Sequence, residues 1–199
     1  MNFAAIILSA GASRRMGTPK ALLVTKGETF LDRLIRVYAE IFSPVVVVLG
    51  ADAEVVRGGL RHPEPAQFVW NERWPLGQLT SLQCGVAALP NEAGGCFFTP
   101  VDCPRVKAET LAALDGAFRE NLPPPLVVVP RHGSRRGHPV GCSRALFAEL
   151  LALGPHESAR AVVHRHTART CVVDVTDAGV LDDVDTPDSY RGMETSLSS

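Results

Sequence analysis

Short apolar runs alternate with amphipathic helical patterns along almost the whole chain, and that alternation limits its fold more than any other feature. Phe3–Leu8 is unbroken apolar sequence, and Val45–Leu49 is a run of β-branched residues closed by leucine. Runs of this kind suit parallel strands that are covered on both faces. Shorter strands are expected at Phe68–Trp70, Cys96–Thr99, Leu126–Val129 and Cys171–Val175. Between them, Phe30–Ile41 sets Leu31, Leu34, Ile35 and Tyr38 on one helical face. Gly77–Leu89 does the same with Leu79, Leu82 and Val86, and Lys107–Leu122 with Leu111, Leu114 and Phe118. Further helices are expected over Asp52–Leu60, with Asp52 as cap, around Phe147–Leu151, and over Ala159–His166. This is the sequence form of repeated βαβ units. The predicted fold is α/β: a Rossmann-like, doubly wound, mostly parallel sheet, whose ligands sit beyond the carboxyl ends of its strands.

The first strand empties into Ser9-Ala10-Gly11-Ala12-Ser13-Arg14-Arg15-Met16-Gly17-Thr18-Pro19-Lys20. Small residues let backbone N–H groups approach phosphate oxygens, arginine offers a planar fork, and lysine a point charge. Two common phosphate loops do not fit. A Walker loop needs Gly-Lys-Ser/Thr opening directly into a helix, but Thr18-Pro19 separate Gly17 from Lys20. The Gly-x-Gly-x-x-Gly dinucleotide pattern is absent. A plain βα turn decorated with surface cations is the alternative.

The pattern Leu-x-Ala-Gly-x-Ser-x-Arg-Met-Gly-x-Pro-Lys at 8–20 resembles the loop of the sugar-phosphate and cofactor nucleotidyltransferases, and the molybdenum-cofactor nucleotidyltransferases in particular. That resemblance implies the nucleotide-diphospho-sugar-transferase type of fold. It also implies transfer of CMP or GMP from an NTP to molybdopterin, with pyrophosphate released. Residue by residue, it implies that Ala10, Gly11, Arg15, Gly17 and Lys20 meet the triphosphate, with Leu8, Ser13 and Arg14 beside them. Lys20 and Arg15 are the candidate catalytic cations. Lys20 lies in a loop where burial is not expected, so its loss should impair turnover far more than folding.

Three other segments fall where strands end. Asp102, in Val101-Asp102-Cys103-Pro104, follows an apolar strand and is either a magnesium ligand or a cap of the next helix. The resembled family has Asp-x-Pro here, with the aspartate on Mg2+. Leu181-Asp182-Asp183-Val184-Asp185-Thr186-Pro187-Asp188 reads both as a helix start and as a carboxylate pair, since Asp183 and Asp185 share one side of an extended segment. The family's Asp-x-Asp-Thr-Pro makes Asp185 the second metal ligand, with Asp183 in reserve. Asn71…Gly77…Ser81 resembles the family's base and ribose loop, with an anchoring Trp74 as the alternative.

Gly137-His138-Pro139-Val140, preceded by Arg136, resembles an acceptor-pocket motif of the cytidylyl branch, and a basic loop would draw a phosphorylated acceptor. A solvated hairpin tip over Arg131–Gly137 is the alternative. The chain departs from that branch at Gly154-Pro155-His156-Glu157-Ser158-Ala159-Arg160, where Gly-Asp-x-Gly-Ala-Arg is usual. Ala10 before Gly11, and Pro19 before Lys20, favour CTP over GTP. The guanylyl branch tends to show Gly-Gly and an aspartate at these places, and the Ala10 methyl narrows the room for a purine.

The 199 residues suit one nucleotidyltransferase domain over 1–192 and a frayed tail over 193–199. A net charge of −1 argues against a nucleic-acid partner. No run approaches the ~20 apolar residues of a membrane span. Met1-Asn2 leads straight into the first strand, and the five cysteines form no C-x-x-C pair, so a reducing cytoplasm is expected. The partners expected are an NTP, a phosphorylated small acceptor, and a molybdoenzyme or maturation factor. Other readings are a sugar-phosphate or methylerythritol-phosphate cytidylyltransferase, a molybdenum-cofactor guanylyltransferase, an NTP hydrolase, and a nucleotide-binding cofactor chaperone without turnover. A hydrolase would need a water-positioning residue that the sequence does not offer. The set Lys20, Asp102 and Asp185 speaks against a chaperone.

Overall fold

The computed structural model describes residues 2–154 and 156–195. The elements in chain order are β1 (Phe3–Ser9), β2 (Val24–Thr25), β3 (Glu28–Thr29), α1 (Phe30–Ala39), β4 (Val45–Leu49), α2 (Ala53–Gly58), β5 (Ala66–Trp70), α3 (Gln78–Ala87), β6 (Gly95–Pro100), α4 (Ala108–Glu120), β7 (Val127–His132), β8 (Arg135–Arg136), β9 (Val140–Ser143), α5 (Phe147–Ala152), α6 (Ala159–Arg165), β10 (Thr170–Asp174) and α7 (Pro187–Thr195). The main sheet runs β10-β7-β9-β6-β1-β4-β5, with β8 paired to β7. All neighbours on this path are parallel except those of β9, which is antiparallel to both β6 and β7.

The alternation within β1 explains the layers. Phe3, Ala5 and Ile7 face one side and pack with Leu31, Leu34, Ile35 and Tyr38 of α1 and Leu111, Leu114 and Phe118 of α4. Ala4, Ile6 and Leu8 face the other side and pack with Leu79, Leu82 and Val86 of α3 and with Phe147, Leu150 and Val162 of α5 and α6. Successive side chains of a strand point to opposite faces. The apolar residues Phe3–Leu8 of β1 and Val45–Leu49 of β4 therefore serve both layers, and all of them are buried, as is Ser9 at the end of β1. No helix among the described residues is long and apolar enough to cross a membrane.

Two expectations at element ends change. Asp52 stands before α2 but does not cap it through its side chain, because it adopts a left-handed backbone (φ 54°). Met193, placed by the sequence in a frayed tail, lies within α7 and is buried. Residues 196–199 of that tail lie outside the described residues.

The sheet order sets the site. From β1 the chain moves outward through β4 to β5, then returns to place β6 on the other flank of β1. The crevice at such a reversal is where open α/β sheets hold ligands. Leu8 is in register with Pro100, so the loop after β1 and the residues after β6 leave the sheet side by side.

Candidate active site

A cleft of about 510 Å³ opens over this crevice, with Leu8 to Arg15, Pro19, Lys20, Trp74, Pro75, Gly77, Gln78, Ser81, Asp102 and Asp185 on its walls. The loop after β1 is held open by its own hydrogen bonds. The Lys20 amide donates to Ser13 Oγ (3.0 Å), and the Met16 amide donates to the Ser13 carbonyl (2.9 Å). Ser13 thus shapes the loop as well as lining it. Gly11, Arg14 and Arg15 are exposed on its rim. Gly17 lies in the loop at φ 69° and is not on the cleft wall.

Lys20 departs from expectation. Its side chain is 13% exposed, and Nζ donates to Asp102 Oδ2 at 3.0 Å and to Asp185 Oδ1. Arg15 holds the other oxygen of Asp185 at 2.7 Å. Lys20 is thus partly buried and paired where the sequence expected an unburied loop cation, so its loss is expected to cost some stability as well as turnover. Burial lowers the pKa of this ammonium, but the hydrogen bonds and charges of Asp185 and Asp102 outweigh it and leave the net shift upward. The Lys20 hydrogen bond holds Asp185 below the usual carboxylate value against the opposing effect of burial.

Backbone and side-chain bonds also pin the C-terminal segment beside the site. The Val184 amide donates to the Asp102 carbonyl (3.2 Å), and the Cys103 thiol donates to the Asp182 carbonyl (2.9 Å). The Arg105 guanidinium donates to both oxygens of the Asp182 carboxylate, at 2.6 and 2.9 Å. These pins bring Asp102, Asp183 and Asp185 together, with one oxygen of each within 4.8 Å of the others. Asp102 is not a cap of α4, whose N-cap position is Lys107 and which has no side-chain cap bond. Three hard carboxylate donors at this spacing are the set a divalent cation takes. Sequence reasoning missed Arg105 and Asp182. An arginine and an aspartate 77 positions apart give no local signal of pairing.

Asn71 is corrected. It is buried and does not reach the cleft. Its Nδ2 donates to Thr80 Oγ1 (2.9 Å) and Ser81 Oγ (3.0 Å), and its Oδ1 accepts from the Arg73 amide (3.0 Å). It therefore ties the loop to α3 rather than facing a ligand. Ser81 is buried but does line the cleft, as does exposed Gly77, whose φ of 112° suits glycine at the start of α3.

A second cavity of about 360 Å³ shares Gln78, Pro100, Asp102 and Asp185 with the first and continues past Asp183 to Arg135, Arg136, Gly137 and His138. Arg135 and Arg136 are on a β7–β8 hairpin, so the expected hairpin tip and the expected cavity wall are one feature. Gly137 has a packing reason of its own: a Cβ there would sit 2.0 Å from the Val180 carbonyl oxygen. Pro139 is buried and off the cavity wall. The His138 Nδ1 is buried without a hydrogen-bond partner, and burial lowers its pKa, so the imidazole is neutral at pH 7. Pro155, in the segment that departs from the cytidylyl motif, lies outside the described residues.

Comparison with known proteins agrees with this architecture. Rv0371c of Mycobacterium tuberculosis H37Rv superposes with a TM-score of 0.81 at 28% identity, covering 98% of this chain and 99% of that one. Its complex with manganese superposes at 0.79. The molybdenum cofactor cytidylyltransferase of Escherichia coli K12 is 25% identical over 197 residues, 93% of this chain and 92% of that protein. A probable molybdenum cofactor guanylyltransferase of Rhodopirellula baltica is 36% identical over 122 residues, 58% of this chain, which spans 56% of that relative's length. The MobA-like NTP transferase domain matches residues 5–170, and the chain belongs to that family.

Proposed function

We propose that this chain is a magnesium-dependent nucleotidyltransferase that moves NMP from an NTP to the phosphate monoester of molybdopterin and releases pyrophosphate. The observation that carries this reading is the meeting of Lys20, Arg15, Asp102, Asp183 and Asp185 where the loop after β1 enters the cleft. The triphosphate lies along Ala10–Arg15, with loop N–H groups, Arg15 and Lys20 taking its charge. Asp102 and Asp185, with Asp183 beside them, would hold Mg2+, which would supply charge neutralisation for the phosphate oxygens. The acceptor fills the second cavity, where Arg135, Arg136 and the neutral His138 meet its anionic end. A phosphate monoester has a second pKa of ~6, so the nucleophile is already ionised at neutral pH and needs no general base. The attacking oxygen bonds to the α-phosphorus as the bond to the β-phosphate oxygen breaks. Arg15 and Lys20 stabilise the charge gathering on pyrophosphate.

CMP is the favoured group. Ala10, whose methyl narrows the room for a purine, stands on the cleft wall together with Pro19. The E. coli cytidylyltransferase also aligns over nearly the whole chain. Guanylyl transfer is the second reading, favoured by the 36% identity to the Rhodopirellula protein. The chain through the end of α7 acts as one nucleotidyltransferase domain in the cytoplasm, handing the product to a molybdoenzyme or maturation factor. Pyrophosphate release with molybdopterin, Mg2+ and either CTP or GTP tests the reading. Release with CTP exceeding that with GTP is expected, a GTP preference overturns the base assignment, and release with neither overturns the function.

A further inference from the structure

The carboxylate cluster is not simply open to a metal. Both oxygens of Asp185 are engaged by side-chain cations, Oδ1 by Lys20 and Oδ2 by Arg15, and Asp102 Oδ2 also accepts from Lys20. The Lys20 ammonium therefore bridges two of the three carboxylates that are candidates to hold a divalent ion. A lysine ammonium and a divalent cation on the same oxygens repel each other, and in a side chain only 13% exposed that repulsion is weakly screened.

We infer that Lys20 is an internal counter-ion of the metal cluster, and that an anionic ligand on the loop after β1 must draw it away before the cluster takes a divalent ion tightly. The inference rests on the proposed function for the identity of that ligand, a nucleoside triphosphate, but not for the competition itself. Charge follows the exchange. Without ligand, Lys20 pairs with Asp102 and Asp185, and Arg15 pairs with Asp185. A triphosphate on the loop gives both cations new phosphate partners and leaves the three carboxylates for the metal. The loop and the acidic segment, 165 residues apart at Lys20 and Asp185, thus swap partners together. Metal loading and nucleotide binding become mutually dependent, as linkage requires.

The geometry of Lys20 allows this swap. Pro19 and the short helical turn Lys20–Leu22 fix its backbone, and only the side chain need move. Its Nζ lies in the same cleft as Ala10–Arg15, so the shift between carboxylate and phosphate is a side-chain rotation.

The test is Mn2+ binding in the absence of nucleotide, followed by loss of the free-ion EPR signal, for the wild type, Lys20→Met, Lys20→Arg and Arg14→Gln. Lys20→Met keeps an unbranched side chain and removes the charge. It should bind Mn2+ at least about tenfold more tightly than wild type. Lys20→Arg keeps the charge and should bind it as weakly as wild type. Arg14→Gln removes the same charge from an exposed neighbour and should change the affinity less than about twofold. If Lys20→Met is unstable without metal, its melting temperature should rise more on adding Mn2+ than that of the wild type. Equal or weaker Mn2+ affinity in Lys20→Met, or an Arg14→Gln effect as large as that of Lys20→Met, overturns the inference. The assay contains no NTP and no acceptor. If transfer activity proves absent while Lys20→Met still tightens Mn2+, the proposed function fails and the counter-ion role stands.

Discussion

Asn71→Ala separates a residue that builds the site from one that touches a ligand. The Asn71 side chain makes three hydrogen bonds from a buried position: to Thr80 Oγ1, to Ser81 Oγ and from the Arg73 amide. Alanine removes all three. Thr80 Oγ1 keeps its bonds to the Arg73 and Gly77 carbonyls at 2.9 Å each, so it is not stranded. The Arg73 amide and Ser81 Oγ lose a partner inside the protein. At about 1 kcal/mol net per bond, and more where a buried group is left unpaired, the loss comes to about 2–4 kcal/mol. For a chain of this size that lowers the melting temperature by roughly 5–12 °C. Thermal unfolding in nucleotide-free buffer measures it directly. The loop from Arg73 to Gly77 carries Trp74 and Pro75 into the cleft, so nucleotide affinity should fall as well, in step with stability. An unchanged melting temperature with nucleotide affinity lost would make Asn71 a direct ligand and refute this placement.

Four other outcomes follow. Lys20→Ala should cost ~3–4 kcal/mol in the transition state, a 10²–10³-fold fall in kcat/KM, together with about 1–3 kcal/mol of stability from the unpaired carboxylates, read by pyrophosphate release and urea unfolding. Asp102→Asn and Asp185→Asn should each raise the magnesium needed for half-maximal rate, because an amide is a poorer ligand for a hard dication; titrations that coincide with wild type would place the metal elsewhere. In metal-free buffer, wild type should melt above Asp185→Asn at neutral pH. Ionised Asp185 is stabilised by Lys20, so the gap should persist above about pH 4 and close as the pH falls through the lowered folded pKa. Gly137→Ala forces a methyl against the Val180 carbonyl and should destabilise by about 2–3 kcal/mol in denaturant unfolding, with no polar group removed.

The fold was legible wherever burial was two-sided or periodic. The strands Phe3–Ser9 and Val45–Leu49 were legible because a run that feeds two layers is apolar throughout, as Phe3–Leu8 and Val45–Leu49 are. β9 was not legible: Val140-Gly141-Cys142-Ser143 is four residues with no alternation, and it becomes a strand only because β6 and β7 flank it. The β2–β3 hairpin, two residues per strand, carries too little pattern to be read.

At the site, Lys20, Asp102 and Asp185 were singled out by the motifs of the resembled family, and they converge through the sheet order and the pinned C-terminal segment. Their mutual pairing was not readable, because it depends on Val184, Cys103 and Arg105 pinning a segment some 80 residues away in sequence. Asn71 misled for the opposite reason. A polar residue beside a glycine-opened helix looks the same in sequence whether it faces a ligand or braces the loop behind it.

The most direct measurement of the central claim is the fate of an α-phosphate label. With [α-³²P]CTP, molybdopterin and Mg2+, the label should move onto the acceptor in proportion to the pyrophosphate released, and Asp102→Asn and Asp185→Asn should slow both together. Label recovered only as free CMP would make the chain a hydrolase, and label left in CTP beside an intact acceptor would contradict nucleotidyl transfer altogether.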